Sequence, residues 1–201
     1  MKSDKRWLER QNRDPYVKQA RNSNYRSRAV YKLQEIDQRD RLFRPGQLVV
    51  DLGSAPGSWS QYAAEKVLPD GKVIAVDILE MPPINGVEFI LGDFTEQSVF
   101  DQCLARLDGN KADLVISDMA PNLTGIRDSD QARCMYLAEL ALDFAAAVLN
   151  PRGNLLIKVF EGAGMEQFKR ALKEQFQRIS VRKPDASRPG SREFYILARR
   201  N

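Results

Sequence analysis

Four carboxylates stand at the ends of short apolar runs: Asp51 after Gln47-Leu-Val-Val, Asp77 after Lys72-Val-Ile-Ala-Val, Asp93 just beyond Val87-Glu-Phe-Ile-Leu91, and Asp118 after Ala112-Asp-Leu-Val-Ile-Ser. In an open parallel sheet, ligands bind outside the carboxyl ends of the strands, so acids at that level face whatever the protein holds. One such acid is commonly a helix cap or a solvated turn. Four together describe a rim suited to a cationic centre, an amine and ribose hydroxyls, and hostile to a triphosphate. The turn after the first run, Gly53-Ser-Ala-Pro-Gly57, matches neither G-x-G-x-x-G nor the Gly-Lys-Ser/Thr of a phosphate loop, which argues against an NAD-dependent oxidoreductase. Asp77, closing the second run, is placed to accept hydrogen bonds from ribose hydroxyls. S-adenosylmethionine, with its sulfonium, α-amino group and adenosine, meets this specification and is the expected cofactor.

The sequence contains no histidine, which removes His-dependent triads, His-containing zinc sites and any imidazole acid or base. Cys103 and Cys134 lie far apart, with neither metal-ligand nor redox-pair spacing, and are expected to be buried thiols; no metal site is expected. Chemistry is left to lysines, carboxylates, hydroxyls or a cofactor.

These residues need a scaffold, and the hydrophobic pattern supplies one. Strand-like runs at 47–51, 72–77, 87–91, 112–118 and 154–159 alternate with helical patterns at about 59–67, 96–107, 129–149 and 164–176. Near-continuous apolar strands separated by helices indicate a parallel sheet covered on both faces. Two further runs, 178–183 and 193–198, joined through a turn with Pro184, Pro189 and Gly190, are expected to form an antiparallel hairpin at the end of the sheet. Upstream, Val30, Leu33 and Ile36 share a helical face from an N-cap at Ser27 to about Asp40, and Lys32 lies on that helix. The fold class expected is α/β, a Rossmann-like, doubly wound, mostly parallel sheet of seven strands with an antiparallel C-terminal hairpin.

Charge is unevenly spread. Residues 1–44 hold thirteen Lys and Arg against six Asp and Glu, whereas the remainder is net acidic. Residues 1–24 form a polar, basic leader expected to be flexible or ordered only on binding; residues 25–201 form the catalytic domain. Tyr16, Tyr25 and Tyr31 among those cations suit stacking on bases, which favours a nucleic-acid partner. No stretch approaches the roughly 18 apolar residues of a membrane helix, and the start lacks the apolar core of a secretory signal, so a cytoplasmic protein is expected.

The most specific stretches are Ser27-Arg-Ala-Val-Tyr-Lys-Leu33, Asp51-Leu-Gly-Ser-Ala-Pro-Gly-Ser-Trp-Ser60, Ser117-Asp-Met-Ala-Pro-Asn122, Leu156-Ile-Lys-Val-Phe160 and Ser191-Arg-Glu-Phe-Tyr195. Over about residues 20–200 the sequence resembles the FtsJ-type RNA 2′-O-ribose methyltransferases. The resemblance implies a catalytic tetrad at Lys32, Asp118, Lys158 and Glu193, and a cofactor pocket at Gly57, Trp59, Asp77, Asp93 and Asp118. It implies methyl transfer from S-adenosylmethionine to the 2′-hydroxyl of a uridine in 23S rRNA, within the 50S subunit; a monomer is expected as the default for a compact enzyme that must approach a large particle. DNA is excluded as substrate because it lacks the 2′-hydroxyl.

Such a transfer is an in-line displacement in which one proton must leave the attacking oxygen. Alignment supplies up to about 7–11 kcal/mol, and a base adds roughly 10²–10⁴-fold. Lys158 is the candidate base. Desolvation on RNA docking and repulsion from the sulfonium and Lys32 favour its neutral form, against the pull of Asp118 and Glu193. Asp118 is therefore expected to orient the Lys158 amine, and Glu193 to position a lysine or the ribose. Cations of the leader and of the Ser27–Asp40 helix, with Arg188 and Arg192, are expected to hold RNA phosphates. Two alternatives stand beside this: the same chemistry on tRNA or another RNA, and a noncatalytic RNA-binding factor for ribosome assembly.

Overall fold

The computed structural model describes residues 14–121, 124–188 and 190–201. The first thirteen residues of the expected leader, together with Asn122 of one motif and Pro189, lie outside them. The elements run α1 (Pro15–Asn22), α2 (Val30–Asp40), β1 (Leu48–Leu52), α3 (Ser58–Val67), β2 (Lys72–Asp77), β3 (Val87–Leu91), α4 (Gln97–Leu107), β4 (Ala112–Ser117), α5 (Arg127–Val148), β5 (Leu149–Phe160), α6 (Met165–Gln175), β6 (Arg178–Arg182) and β7 (Glu193–Arg199).

The seven strands form one sheet in the order β3-β2-β1-β4-β5-β7-β6. Strands β1 to β5 pair in parallel, while β7 is antiparallel to both β5 and β6. The expected α/β class and C-terminal hairpin are both present. The hairpin's second strand is the one inserted against β5, leaving β6 at the edge, where Arg178 and Arg182 at its ends discourage further pairing.

Alternation along the strands divides the core into two. Val50, Leu52, Ile74 and Val115 pack with α4, α5 and α6 on one face. Val49, Val73, Leu114, Ile116 and Tyr195 pack with α2 and α3 on the other. Both faces being dry explains why these strands read as unbroken apolar runs. Cys103 and Cys134 are buried free thiols. Among the described residues, no helix is long and apolar enough to cross a membrane.

Two expectations are corrected. Residues 15–22, read as part of a leader flexible or ordered only on binding, form helix α1. Asp14 accepts a bond from the Tyr16 N–H at 3.0 Å, Pro15 occupies the first turn, and Val17 and Ala20 are buried. The tyrosines read as free to stack on bases pack on one another: Tyr31 is buried, with its ring 5.5 Å from that of Tyr16 and 6.5 Å from that of Tyr25. The following helix, α2, is regular from Val30, and the Ser27 hydroxyl, the expected N-cap, accepts from the Ala29 N–H at 3.3 Å and bonds the Ser58 hydroxyl at 2.7 Å, tying α2 to α3.

Candidate active site

Strand order reverses between β1 and β4, the place where open α/β sheets hold their ligands. Leu52 pairs with both Val76 and Ser117, so Gly53, Asp77 and Asp118 leave the sheet at one level. The chain turns back at once. The Gly53 and Ser54 N–H groups donate to the Val76 carbonyl at 2.9 and 3.1 Å, and the Ala55 N–H to one oxygen of Asp77 at 2.8 Å. The other Asp77 oxygen accepts from the Leu79 N–H at 2.8 Å. Each oxygen keeps a second lone pair, so Asp77 fixes the glycine turn and still offers acceptors to hydroxyls. Beyond β3, Asp93 accepts from the Thr95 N–H at 2.9 Å.

The turn depends on bare backbone at two positions. Gly57, at a φ of 103°, leads into α3, and a Cβ there would lie 2.7 Å from the tip of Ile84 and 2.9 Å from the Arg26 guanidinium. A Cβ on Gly53 would overlap the Met119 side chain at 2.1 Å. Arg26 spans this rim, donating to the carbonyls of Pro56 at 3.1 Å, Pro82 at 2.7 Å and Pro83 at 2.8 Å. Its contribution was not legible in sequence, because a lone arginine before the Ser27 motif carries no signal of its partners.

Beneath the turn, Asp51 is fully buried and accepts from the Ser60 hydroxyl at 2.6 Å. Burial pushes its carboxyl up to about 7; the charges of Asp118 and Asp77 add to the rise, while the Ser60 bonds oppose it. Three carboxyl groups within electrostatic range of one another, with one lysine among them, suit a cationic, hydroxyl-bearing ligand. The chemistry of this donor set fits such a cofactor.

Two ion pairs lie beside this rim. In the β5–β7 register Lys158 is opposite Tyr195 and Phe160 opposite Glu193, so Lys158, Tyr195 and Glu193 share one face of the sheet. That face is covered by α2, which brings the Lys32 amine to 2.6 Å from a Glu193 oxygen. Lys158 lies 3.0 Å from Asp118 Oδ1 and also donates to the Asp118 carbonyl. The Tyr195 hydroxyl donates to the same Asp118 oxygen at 2.6 Å. Its ring lies 5.8 Å from the Lys32 ammonium and 5.7 Å from the ring of Trp59. Burial, and then the charges of Asp118 and Glu193, hold the Tyr195 hydroxyl well above its ordinary range, so it stays a donor.

The four residues Lys32, Asp118, Lys158 and Glu193 are thus joined around Tyr195, whose position the Ser191–Tyr195 motif contained but whose part was missed. Trp59 is buried and donates its indole N–H to the Ala29 carbonyl at 2.8 Å, where it braces α2. All four side chains of the two pairs are nearly dry, with Lys158 only 7% exposed and Lys32 only 11%. Among the described residues, no group of His, Cys, Asp or Glu is arranged to hold a metal ion.

A doubly wound sheet with an acidic, glycine-lined crevice at its switch point defines the open-sheet α/β enzymes that take a nucleoside-bearing cofactor. The model of the FtsJ-like methyltransferases matches residues 25–201. The "Ribosomal RNA large subunit methyltransferase E" of Marinobacter nauticus is 58% identical over 98% of this chain and 96% of its own length. The Pseudomonas aeruginosa protein of the same name is 53% identical, again over 98% and 96%. A Plasmodium falciparum structure described as a ribosomal RNA methyltransferase superposes with a TM-score of 0.76 at 29% identity, covering 87% of this chain and 97% of that one. The chain belongs to the FtsJ-like methyltransferase family and is a methyltransferase.

Proposed function

We propose that this protein transfers a methyl group from S-adenosylmethionine to the 2′-hydroxyl of a uridine in 23S rRNA, within the 50S subunit, acting as a cytoplasmic monomer. The observation that carries the reaction is the pairing of two nearly dry lysines with two carboxylates around Tyr195, beside an acidic crevice. The names of the bacterial relatives support the substrate. Residues 25–201 make up the catalytic domain, and the cations before it hold RNA phosphates.

When bound, the cofactor supplies an electrophilic methyl group on a sulfonium. Asp77 and Asp118 would attract that cation, Asp77 and Asp93 would offer acceptors to its hydroxyls, and Gly57, whose missing side chain makes room for Ile84 and Arg26, would hold the turn that faces it. The face of the sheet bearing Lys158 receives the ribose. Lys158 takes the proton of the 2′-hydroxyl, Asp118 aims the amine, and the Lys32–Glu193 pair positions the sugar. The Asp118 carboxylate and carbonyl hold the Lys158 amine in the free enzyme, so it is aimed before the ribose arrives.

Mapping ribose methylation across ribosomal and transfer RNA from cells with and without the gene tests this. One 2′-O-methyl group in the large-subunit RNA should disappear on deletion and return when purified protein and labelled S-adenosylmethionine are added to those subunits. Loss from a tRNA instead would move the substrate. An unchanged map would leave only a noncatalytic factor.

A further inference from the structure

Helix α2 carries Lys32, and two neighbouring side chains reach from it to the stretch of chain that leads into Glu193. Arg28, Lys32 and Glu35 follow one another at spacings of four and three residues, so they line one side of α2 and of the turn before it. Against that side lies the connection from β6 to β7. Glu35 accepts from two consecutive N–H groups of the connection, Asp185 at 2.6 Å and Ala186 at 3.0 Å, one on each carboxylate oxygen. Arg28 donates to the Ala186 carbonyl at 2.5 Å and pairs with Asp14 at 2.9 Å. Ala186 is fully buried, and both polar groups of its backbone are met by these two side chains.

This is not the ordinary use of a helix glutamate. A cation four residues further on is the usual partner, and Arg39 stands there, exposed. Among the described residues Glu35 nevertheless makes no ion pair; its charge faces main-chain donors instead. The connection in turn holds Glu193, the first residue of β7. The Glu193 N–H donates to Ser191 Oγ at 3.2 Å, and its carbonyl accepts from the Lys183 amine, which also donates to the Ser191 carbonyl at 2.6 Å. Its side chain meets Lys32 at 2.6 Å. A closed circuit results: α2 grips the connection through Glu35, the connection holds the Glu193 backbone, and the Glu193 carboxylate returns to α2 at Lys32. Opened at Glu35, the circuit leaves the ion pair to hold the connection by itself.

We propose that Glu35 is a positioning residue for the methyl transfer: by anchoring the connection on α2, with Arg28 as its counterpart on the Ala186 carbonyl, it sets the Lys32–Glu193 pair that positions the sugar. The proposal rests on the role given to that pair above and deepens it, since Glu35 acts through the pair and not on the reacting atoms.

The test uses the full-length enzyme in two ways. First, the protein without RNA is treated briefly with acetic anhydride, and acetylation of each lysine is followed by mass spectrometry. Lys32, 11% exposed and bound to Glu193, should react slowly in the wild type. Glu35→Gln, which retains one acceptor oxygen in place of two, should raise the reaction at Lys32 about fivefold and leave Lys158 within about twofold. Glu35→Ala should raise it further. Second, single-turnover methylation of large subunits from cells lacking the gene should fall about tenfold in Glu35→Gln. The Kd for S-adenosylmethionine should stay within about twofold, and urea titration should show the variant folded under the assay conditions. Lys32 reacting as in the wild type overturns the proposal, as does a freed Lys32 with an unchanged methylation rate. A rise at every lysine alike, or a loss of cofactor affinity in step with the rate, would mark general loosening and overturn it too. The labelling needs neither RNA nor cofactor, so it still judges the grip if the wild type fails to methylate, an outcome that would instead remove the proposed function.

Discussion

Tyr195 and Lys158 stand opposite each other across β5 and β7 and share one acceptor, Asp118 Oδ1, at 2.6 and 3.0 Å. The carboxylate is therefore held from two sides, by a hydroxyl that stays protonated and by an ammonium. A hydrogen bond to a charged group contributes about 1.5–3 kcal/mol. Tyr195→Phe, which keeps the ring against Trp59, should lower stability by about that amount in urea titrations. It should also reduce single-turnover methylation about tenfold, since Asp118 would no longer be fixed. Lost stability with an unchanged rate would reduce Tyr195 to packing.

Lys158→Ala should abolish methylation, by at least about 100-fold, with S-adenosylmethionine binding within about threefold of wild type by calorimetry. The substitution removes a cation from an acidic cluster, so a positively charged cofactor gains nothing to repel it. If binding and activity vanish together, the assignment of Lys158 to the proton rather than to the cofactor is wrong.

Arg26→Ala removes three hydrogen bonds that tie the glycine turn to the 81–84 segment. The expected result is a Kd for S-adenosylmethionine raised about tenfold, with kcat at saturating cofactor within about twofold. A selective fall in kcat would place Arg26 on the RNA side instead.

Asp51 gives a pH signature. Its folded value of about 7 lies above the unfolded value of about 3.9, so between these the native state binds a proton that the unfolded chain has released. Its contribution to stability is present below about pH 4 and is lost as pH rises to about 7, by up to about 4 kcal/mol. Asp51→Asn keeps the acceptor for Ser60 and has no charge to bury. The variant should gain on wild type steadily across that window in chemical denaturation; parallel curves would show that the carboxyl ionises freely.

Asp40, at the end of the helix bearing Lys32, makes a two-pronged pair with Arg182 on the edge strand, one contact at 2.6 Å. Burial alone would raise the Asp40 carboxyl; the Arg182 bonds and charge, with Arg199 and Arg39, outweigh it and hold it below the usual carboxylate range. Asp40→Asn should cost about 3–5 kcal/mol near neutrality. Because the wild-type gain is present above the unfolded value and lost as pH falls through the lower folded one, the difference should shrink below about pH 4.

Most of the sheet was legible because its strands are dry on both faces and so read as plain apolar runs, each ending near an acid that the topology then aligned. The order of the last two strands was not, since a hairpin looks the same whichever arm faces the sheet. Helix α1 was missed although Asp14-Pro15 is a start signal, because eight residues with two apolar contacts look like coil beside so much charge. Lys32, Asp118, Lys158 and Glu193 were found by resemblance, and the geometry joins them; the apolar wall of Tyr195 and the carbonyl partners of Arg26 depend on contacts between distant segments.

The insertion of β7 between β5 and β6 has a consequence for biosynthesis. The strand made later takes the interior place, so a nascent chain that has reached β6 has nothing through which to attach it, and the flank of β5 stays unpaired and adhesive. Closure of the sheet and delivery of Glu193 and Tyr195 are then a single event. Incomplete chains lack Glu193 and Tyr195 of the candidate site, and the first molecule to carry the whole site is also the first one fully knitted.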